Sequence, residues 1–312
     1  MDTLRELASV ALAPVEYVLR GRASGEPTGP ILIVGCPRSG TTLLSQLVTT
    51  CFRVSYISNA AYRFYRTPLA ASWKWRDAIL AYQSSFSSDY GRTRGPGEPN
   101  EADRFWKQWF PRDERPVDAD YLDDRATSEM RTIVSGLERI LGGPFVNKHV
   151  GHSVRMLALA RAFPNVRFLW VRRDPLVTAR SILKARQERV TRGRQRLEGW
   201  WSARPREIDR LLNRPVLEQV CGQVYYVNRN IEEDAARLEN RCLSIAYEKL
   251  CRNPRQELDH IQNWLDEAGI RLSRRSEPPQ QFHISMPGEQ DRDLMRNLEI
   301  IWDRLTSDHG AE

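Results

Sequence analysis

Short, wholly apolar runs alternate along this chain with segments in which apolar positions recur every three or four residues, the mark of buried strands alternating with amphipathic helices. Ile31-Leu32-Ile33-Val34 is the first run, and it leads through Gly35-Cys36-Pro37-Arg38-Ser39-Gly40 into a helical pattern over about residues 40–50. Residues 52–57, with Val54, Tyr56 and Ile57, read as a short second strand. Further strands are expected at Pro144-Phe145-Val146-Asn147-Lys148, at 166–171 and at 242–247. Helices are expected over about 119–141 and 153–163, from Pro175 onward, along the periodic positions Val216, Val220, Val224, Val227, Ile231, Ala235 and Leu238, after Asn253-Pro254, and over about 292–305. Strand and helix alternating in this way predict an α/β fold of three layers, with a central, mostly parallel sheet and helices on both faces.

Two stretches stand outside that rhythm. Residues 1–29 hold an amphipathic pattern from Leu4 and Leu7 to Val18 and Leu19, read as a helix interrupted or kinked at Pro14, then a Gly- and Pro-rich connector, so the α/β domain proper is expected over 30–312. The second stretch, at about 59–116, carries Tyr62, Phe64, Tyr65, Trp73, Trp75, Tyr82, Phe86 and Tyr90 ahead of the turn-rich Gly91-Arg92-Thr93-Arg94-Gly95-Pro96-Gly97-Glu98-Pro99-Asn100. It reads as an insertion whose rings either wall an acceptor pocket or fill a helical core. After it, residues 101–110 predict a helix with Phe105, Trp106, Trp109 and Phe110 on one face.

Composition narrows the classes. With 312 residues, 41% hydrophobic and 28% charged, the chain can build a sizeable core. Its net charge of +7 suits a polyanionic cofactor or an acidic acceptor, but the basic residues are spread among acidic ones, so nucleic acid is not an expected partner. The five cysteines, Cys36, Cys51, Cys221, Cys242 and Cys251, show no metal-ligand spacing and fit a reducing cytoplasm. No apolar run reaches the length needed to span a bilayer, although the first helix leaves peripheral membrane contact open.

The candidate chemistry starts in the loop after the first strand. Gly35-x-x-x-x-Gly40 has the spacing of a nucleotide triphosphate loop, and amides of Ser39 to Thr42 at a helix start would face an anion. The lysine expected after the second glycine is replaced by Thr41, and Arg38 is the cation inside the loop, which disfavours ordinary ATP chemistry. Pro37-Arg38-Ser39-Gly40-Thr41-Thr42-Leu43 resembles the loop with which sulfotransferases hold the 5′-phosphosulfate of 3′-phosphoadenosine 5′-phosphosulfate (PAPS). Arg173 and Ser181, eight apart after a strand, resemble the signature that grips the 3′-phosphate. Together they identify the chain as similar to PAPS-dependent sulfotransferases over residues 30–270, and most like the bacterial and protein-tyrosine branch.

That resemblance implies a P-loop-type fold, sulfuryl transfer to a hydroxyl or amine, adenosine 3′,5′-bisphosphate (PAP) as product and no metal. It implies that Pro37, Arg38, Ser39, Gly40, Thr41 and Thr42 hold the 5′ end, that Arg173 and Ser181 hold the 3′-phosphate, and that Arg38 and Lys148 steady charge as the sulfuryl group departs. Relatives of the protein-tyrosine type carry a glutamate where this chain has Asn59, which cannot take a proton. Glu101, His149 and His152 are the candidates to replace it, with Glu101 and His149 favoured equally. Two alternatives remain at this stage: a kinase with an altered loop, and a homologue that binds the cofactor without catalysis. The acceptor, whether a small molecule, a lipid or a glycan, is not specified.

Overall fold

The computed structural model describes residues 2–23, 25–87, 95–193, 197 and 199–309. Among them six strands form: β1 (Ile31–Val34), β2 (Phe52–Arg53), β3 (Val146–Lys148), β4 (Arg167–Arg172), β5 (Cys242–Ala246) and β6 (Ser273–Arg274). The first apolar run becomes β1 because every one of its residues is buried, as befits a central strand covered on both faces. It lies between β3 and β4, with β5 outside β4, in a parallel sheet of order β3-β1-β4-β5. Ile33 pairs with Lys148 on one side and Leu169 on the other, while Arg172 pairs with Ala246. This register brings Lys148, the loop after Val34 and the chain after Arg172 out at one edge of the sheet. Ligands gather beyond the carboxyl ends of such strands.

Alternate residues feed two cores, as strand geometry requires. Leu32, Val34, Phe168 and Trp170 pack with apolar residues of the helices Asp124–Leu141, Met156–Ala162, Pro175–Thr191 and Val216–Arg237. Ile31, Ile33, Leu169 and Val171 pack with those of Thr41–Cys51 and Pro254–Glu267. The expected sandwich of helix, parallel sheet and helix is therefore present.

Several local expectations need correction. Residues 52–57 do not form a strand of the main sheet: β2 is two residues long and pairs antiparallel with β6, and the chain then touches the sheet edge through a bridge from Ser55 to Phe145. The cause is local, since Tyr56 turns inward to donate to the carbonyls of Ile79 and Gly97. The helix expected over 153–163 is divided into a 3-10 turn, Val150–Val154, and Met156–Ala162. Between them Arg155 is buried with its guanidinium on the carbonyls of Pro111 and Arg115. The helix expected over 101–110 shrinks to Asp103–Trp106, entered through Ala102 at φ 62°.

The amino-terminal helix runs unbroken over Asp2–Arg22 with Pro14 inside it. It docks on the insertion, where buried Glu16 accepts from the Ala70 amide at 2.8 Å, and Arg20 bridges Glu16 and Glu129. Within the insertion most rings serve packing: Phe64 stacks on Trp75 at 5.4 Å, and Phe105, Trp106 and Phe110 are buried. Trp73 is exposed, whereas Tyr62 and Phe86 line the cavity described next. Tyr90 and the Gly91–Arg94 part of the turn-rich stretch lie outside the described residues.

Candidate active site

Beyond the carboxyl ends of β1, β3 and β4 opens a cavity of about 1180 Å³. Pro37, Arg38, Gly40, Thr41, Thr42, Glu101, Lys148, His149 and Arg173 all line it. Residues separated by up to 136 positions are thereby joined in one space. Ser39 sits beneath the loop, 2% exposed, and Ser181 reaches the site through Arg38.

The loop turns tightly because Gly35 and Gly40 adopt φ 154° and 100°, and even Arg38 is held at φ 71°. A Cβ on Gly40 would stand 2.2 Å from the Tyr247 ring, and one on Gly35 would stand 2.8 Å from the Val171 carbonyl. Both faces of the turn are thus closed to a side chain. Ser153 fastens its start, accepting from the Gly35 amide at 2.9 Å and donating to the Gly35 carbonyl at 3.0 Å. The helix Thr41–Cys51 begins with no side-chain cap among the described residues, its first internal bond running from the Leu44 amide to the Gly40 carbonyl. The amides of Thr41, Thr42 and Leu43 precede that first bond, so they are left at the positive end of the helix facing the cavity.

The second cradle meets the first. Arg173 donates to the Arg38 carbonyl at 3.2 Å and to the Ser285 carbonyl at 3.1 Å, with its guanidinium 4.5 Å from the centre of the Tyr247 ring. Its Nε is buried without a hydrogen-bond partner. Arg38 Nε donates to Ser181 Oγ at 3.1 Å. Asp174, the neighbour of Arg173, is engaged elsewhere, capping the helix Pro175–Thr191 through the Val177 amide at 2.8 Å. A buried unpartnered Ser39 Oγ, the spare Arg173 Nε and uncapped amides around a Gly-walled turn suit a ligand with two anionic groups.

On the opposite wall, an antiparallel bridge of Ser58 with Pro99 and a 2.6 Å bond from Asn100 Nδ2 to Asn59 Oδ1 seat residues 98–101 beside Asn59. Asn147 of β3 holds the Asn100 carbonyl. Glu101 consequently pairs with Lys148 through Oε1, and no group among the described residues bonds its Oε2. His149 presents Nδ1 to the Gly151 amide at 3.0 Å, leaving Nε2 to carry the proton of the neutral ring, 3.8 Å from Asp103 Oδ1. Burial would raise the Asp103 carboxyl, but its neighbours His149 and Lys107 outweigh it and hold it at about 2. His152 is fully buried behind β3, bonded to Asn147 and edge-on to Trp106. Burial, with Arg155 and the His149 ring as neighbours, pushes its ring well below the usual histidine range.

Some lining residues carried no signal in the sequence reading. Tyr247, just past the carboxyl end of β5, could have been found from that position alone; Phe282 and His283, in the turn-rich tail, could not. The fold also assembles Asp103, Glu114 and His149 with ligand-type atoms within 4.8 Å of one another, a grouping the linear spacing conceals. Lys107 Nζ already lies 2.7 Å from Asp103 Oδ1.

The sequence profile of the sulfotransferase family matches residues 30–269. Among solved structures, a sulfotransferase of Mycobacterium tuberculosis is 15% identical, covering 97% of this chain and 82% of its own with a TM-score of 0.50. One from Mycobacterium avium is 17% identical, covering 91% of this chain and 69% of its own (TM-score 0.46). Another, from Alicyclobacillus acidocaldarius, is 16% identical over 91% of this chain and 95% of its own (TM-score 0.45). No curated protein sequence matches. Among the described residues no helix is long and apolar enough to cross a membrane.

Proposed function

The chain belongs to the sulfotransferase family, and from that premise we propose that it transfers a sulfuryl group from PAPS to a hydroxyl or amine of an acceptor. The observation that carries this reading is the contact between the two cradles, Arg173 on the Arg38 carbonyl and Arg38 on Ser181, at one cavity. When bound, PAPS supplies an activated sulfuryl group. The amides of the helix start and the Thr41 and Thr42 hydroxyls would hold its 5′-phosphate end. Arg173, able to offer a bidentate fork, and Ser181 would hold the 3′-phosphate. Arg38 and Lys148 would steady the negative charge that develops on the departing side.

Proton removal from the acceptor falls to Glu101. One oxygen is steadied by Lys148, the other is open, and the preceding residue Asn100 is bonded to Asn59, where related enzymes place their base. His149 offers no lone pair: Nδ1 is engaged by Gly151, and Nε2 bears the proton toward Asp103. Its role is to anchor the wall that carries Asp103. His152, buried with its ring on Asn147, serves the core. Five free thiols, four of them buried, favour the cytoplasm as the site of action.

Calorimetry with PAP and with ATP and Mg²⁺ tests the premise. PAP should bind and ATP should not compete, and Arg173→Ala should weaken PAP at least about tenfold, since a charge-assisted hydrogen bond contributes about 1.5–3 kcal/mol. Glu101→Gln should lower kcat about 10²- to 10⁴-fold in a labelled-PAPS assay while keeping PAP affinity. Absence of PAP binding would overturn the reading, and a Glu101→Gln enzyme of normal kcat would remove the base assignment.

A further inference from the structure

The cavity does not stop at the cofactor cradles. Past Glu101 its wall continues through Tyr62 and Arg63 of the short helix Asn59–Arg63 and through Arg104 of Asp103–Trp106. Both helices leave from one junction, because the Asn59–Asn100 hydrogen bond ties the start of the first to the segment that precedes the second. Glu101 lies at that junction, and the Arg104 guanidinium stands 5.9 Å from the centre of the Tyr62 ring.

Charge along this end is unequal. Asp103 is matched by Lys107 at 2.7 Å, Glu188 by Arg192 at 3.7 Å, and Glu101 by Lys148, whereas Glu114, grouped with Asp103 and His149, has no cation paired with it among the described residues. Arg63 and Arg104 are exposed to the cavity, and among the described residues no carboxylate pairs with either. Two guanidinium groups without a carboxylate partner, one of them beside the Tyr62 ring, on the cavity wall that also carries Glu101, form a recognition surface for an anion attached to an apolar body.

We propose that the acceptor is itself an anion: a small molecule with a ring or short apolar body whose hydroxyl meets Glu101 and whose carboxylate, phosphate or sulfate meets Arg63 and Arg104. The inference rests on the sulfotransferase reading and deepens it. A neutral alcohol of the same shape would leave both guanidinium groups without a counter-charge and lose the orientation they impose.

Matched pairs of acceptors differing in one anionic group provide the test: 4-methylphenol against 4-hydroxyphenylacetate, and C6–C10 alkanols against the corresponding ω-hydroxyalkanoates. Each is assayed for turnover with labelled PAPS and for thermal shift of the PAP-bound protein. The anionic member should be preferred at least tenfold in kcat/KM, the preference should shrink in high salt, and Arg63→Ala or Arg104→Ala should raise KM for it about tenfold. The double variant Arg63→Glu with Arg104→Glu should reverse the order within each pair. PAP affinity measured on the same samples reports folding and keeps this test separate from that of the family reaction. If PAP binds but the neutral members are equal or better, if no anionic member shifts the PAP-bound protein beyond its neutral partner, or if the arginine variants weaken PAP itself, the inference is overturned.

Discussion

At Gly40 a backbone requirement and the proposed hold on the 5′-phosphate coincide. Its φ of 100° lies where side chains are strained, and any Cβ would run into the Tyr247 ring, which itself stands against Arg173. One substitution therefore disturbs both cradles. Gly40→Ala should lower stability by about 1–3 kcal/mol and weaken PAP by more than tenfold. Gly269→Ala is the matched comparison, because that residue also has a positive φ, 78°, but meets nothing within 4 Å. Calorimetry and thermal melts should show that this second variant loses some stability and none of its PAP affinity. Equal PAP binding in the two variants would mean that Tyr247 and the loop do not depend on each other. The same scale separates Glu101 from His149, two side chains whose residue types alone left them level. The difference lies in what their polar atoms already touch, namely Lys148 on one Glu101 oxygen and the Gly151 amide on His149 Nδ1.

Elements built from short-range rules were legible in the chain. Ile31–Val34, the helix Thr41–Cys51, the cap of Asp174 with Pro175 at the first helical position, and the 3.6-residue periodicity of Val216–Arg237 all follow from local pattern. The same rules put residues 35–40, Lys148 and Arg173 at or just past strand ends. Elements decided by distant partners were not legible. Residues 52–57 have strand-like residues, yet Tyr56 finds its acceptors 23 and 41 positions away and the chain leaves the sheet. The 153–163 helix has good periodicity, yet Arg155 prefers carbonyls 40 and 44 positions back and interrupts it. Glu101, the proposed base, follows this pattern. Nothing in its neighbourhood along the chain says that it will face Lys148, 47 residues on, because that meeting depends on the bridge from Ser58 to Pro99 and on Asn147 holding Asn100. The aromatic insertion shows how two readings divide: its rings mainly build a core, and Tyr62 and Phe86 reach the cavity.

For the molecule as a whole, the buried ring of His152 makes stability depend on pH. Its Nε2 donates to Asn147 and its Nδ1 has no partner, so a second proton would place a charge between Trp106, Arg155 and His149 with nothing to receive it. The folded-state pKa is depressed relative to the unfolded chain, which near 6.5 takes up a proton that the native protein refuses. Its contribution is therefore fully present above about pH 6.5 and declines as pH falls below it, by up to about 1.4 kcal/mol per pH unit. Asp103, held at about 2, adds its own loss only below about pH 4, whereas the carboxyls of Glu16 and Glu138, raised chiefly by burial, act in the opposite direction as they protonate. A difference between two proteins isolates the histidine from these groups. His152→Gln preserves a donor toward Asn147 and removes the titration, so its melting temperature should lie below that of the parent at pH 7.5 and approach or cross it by pH 5. Parallel melting curves across that interval, with a constant gap, would show that the ring is accommodated in its charged form and that the wall behind β3 is open to water.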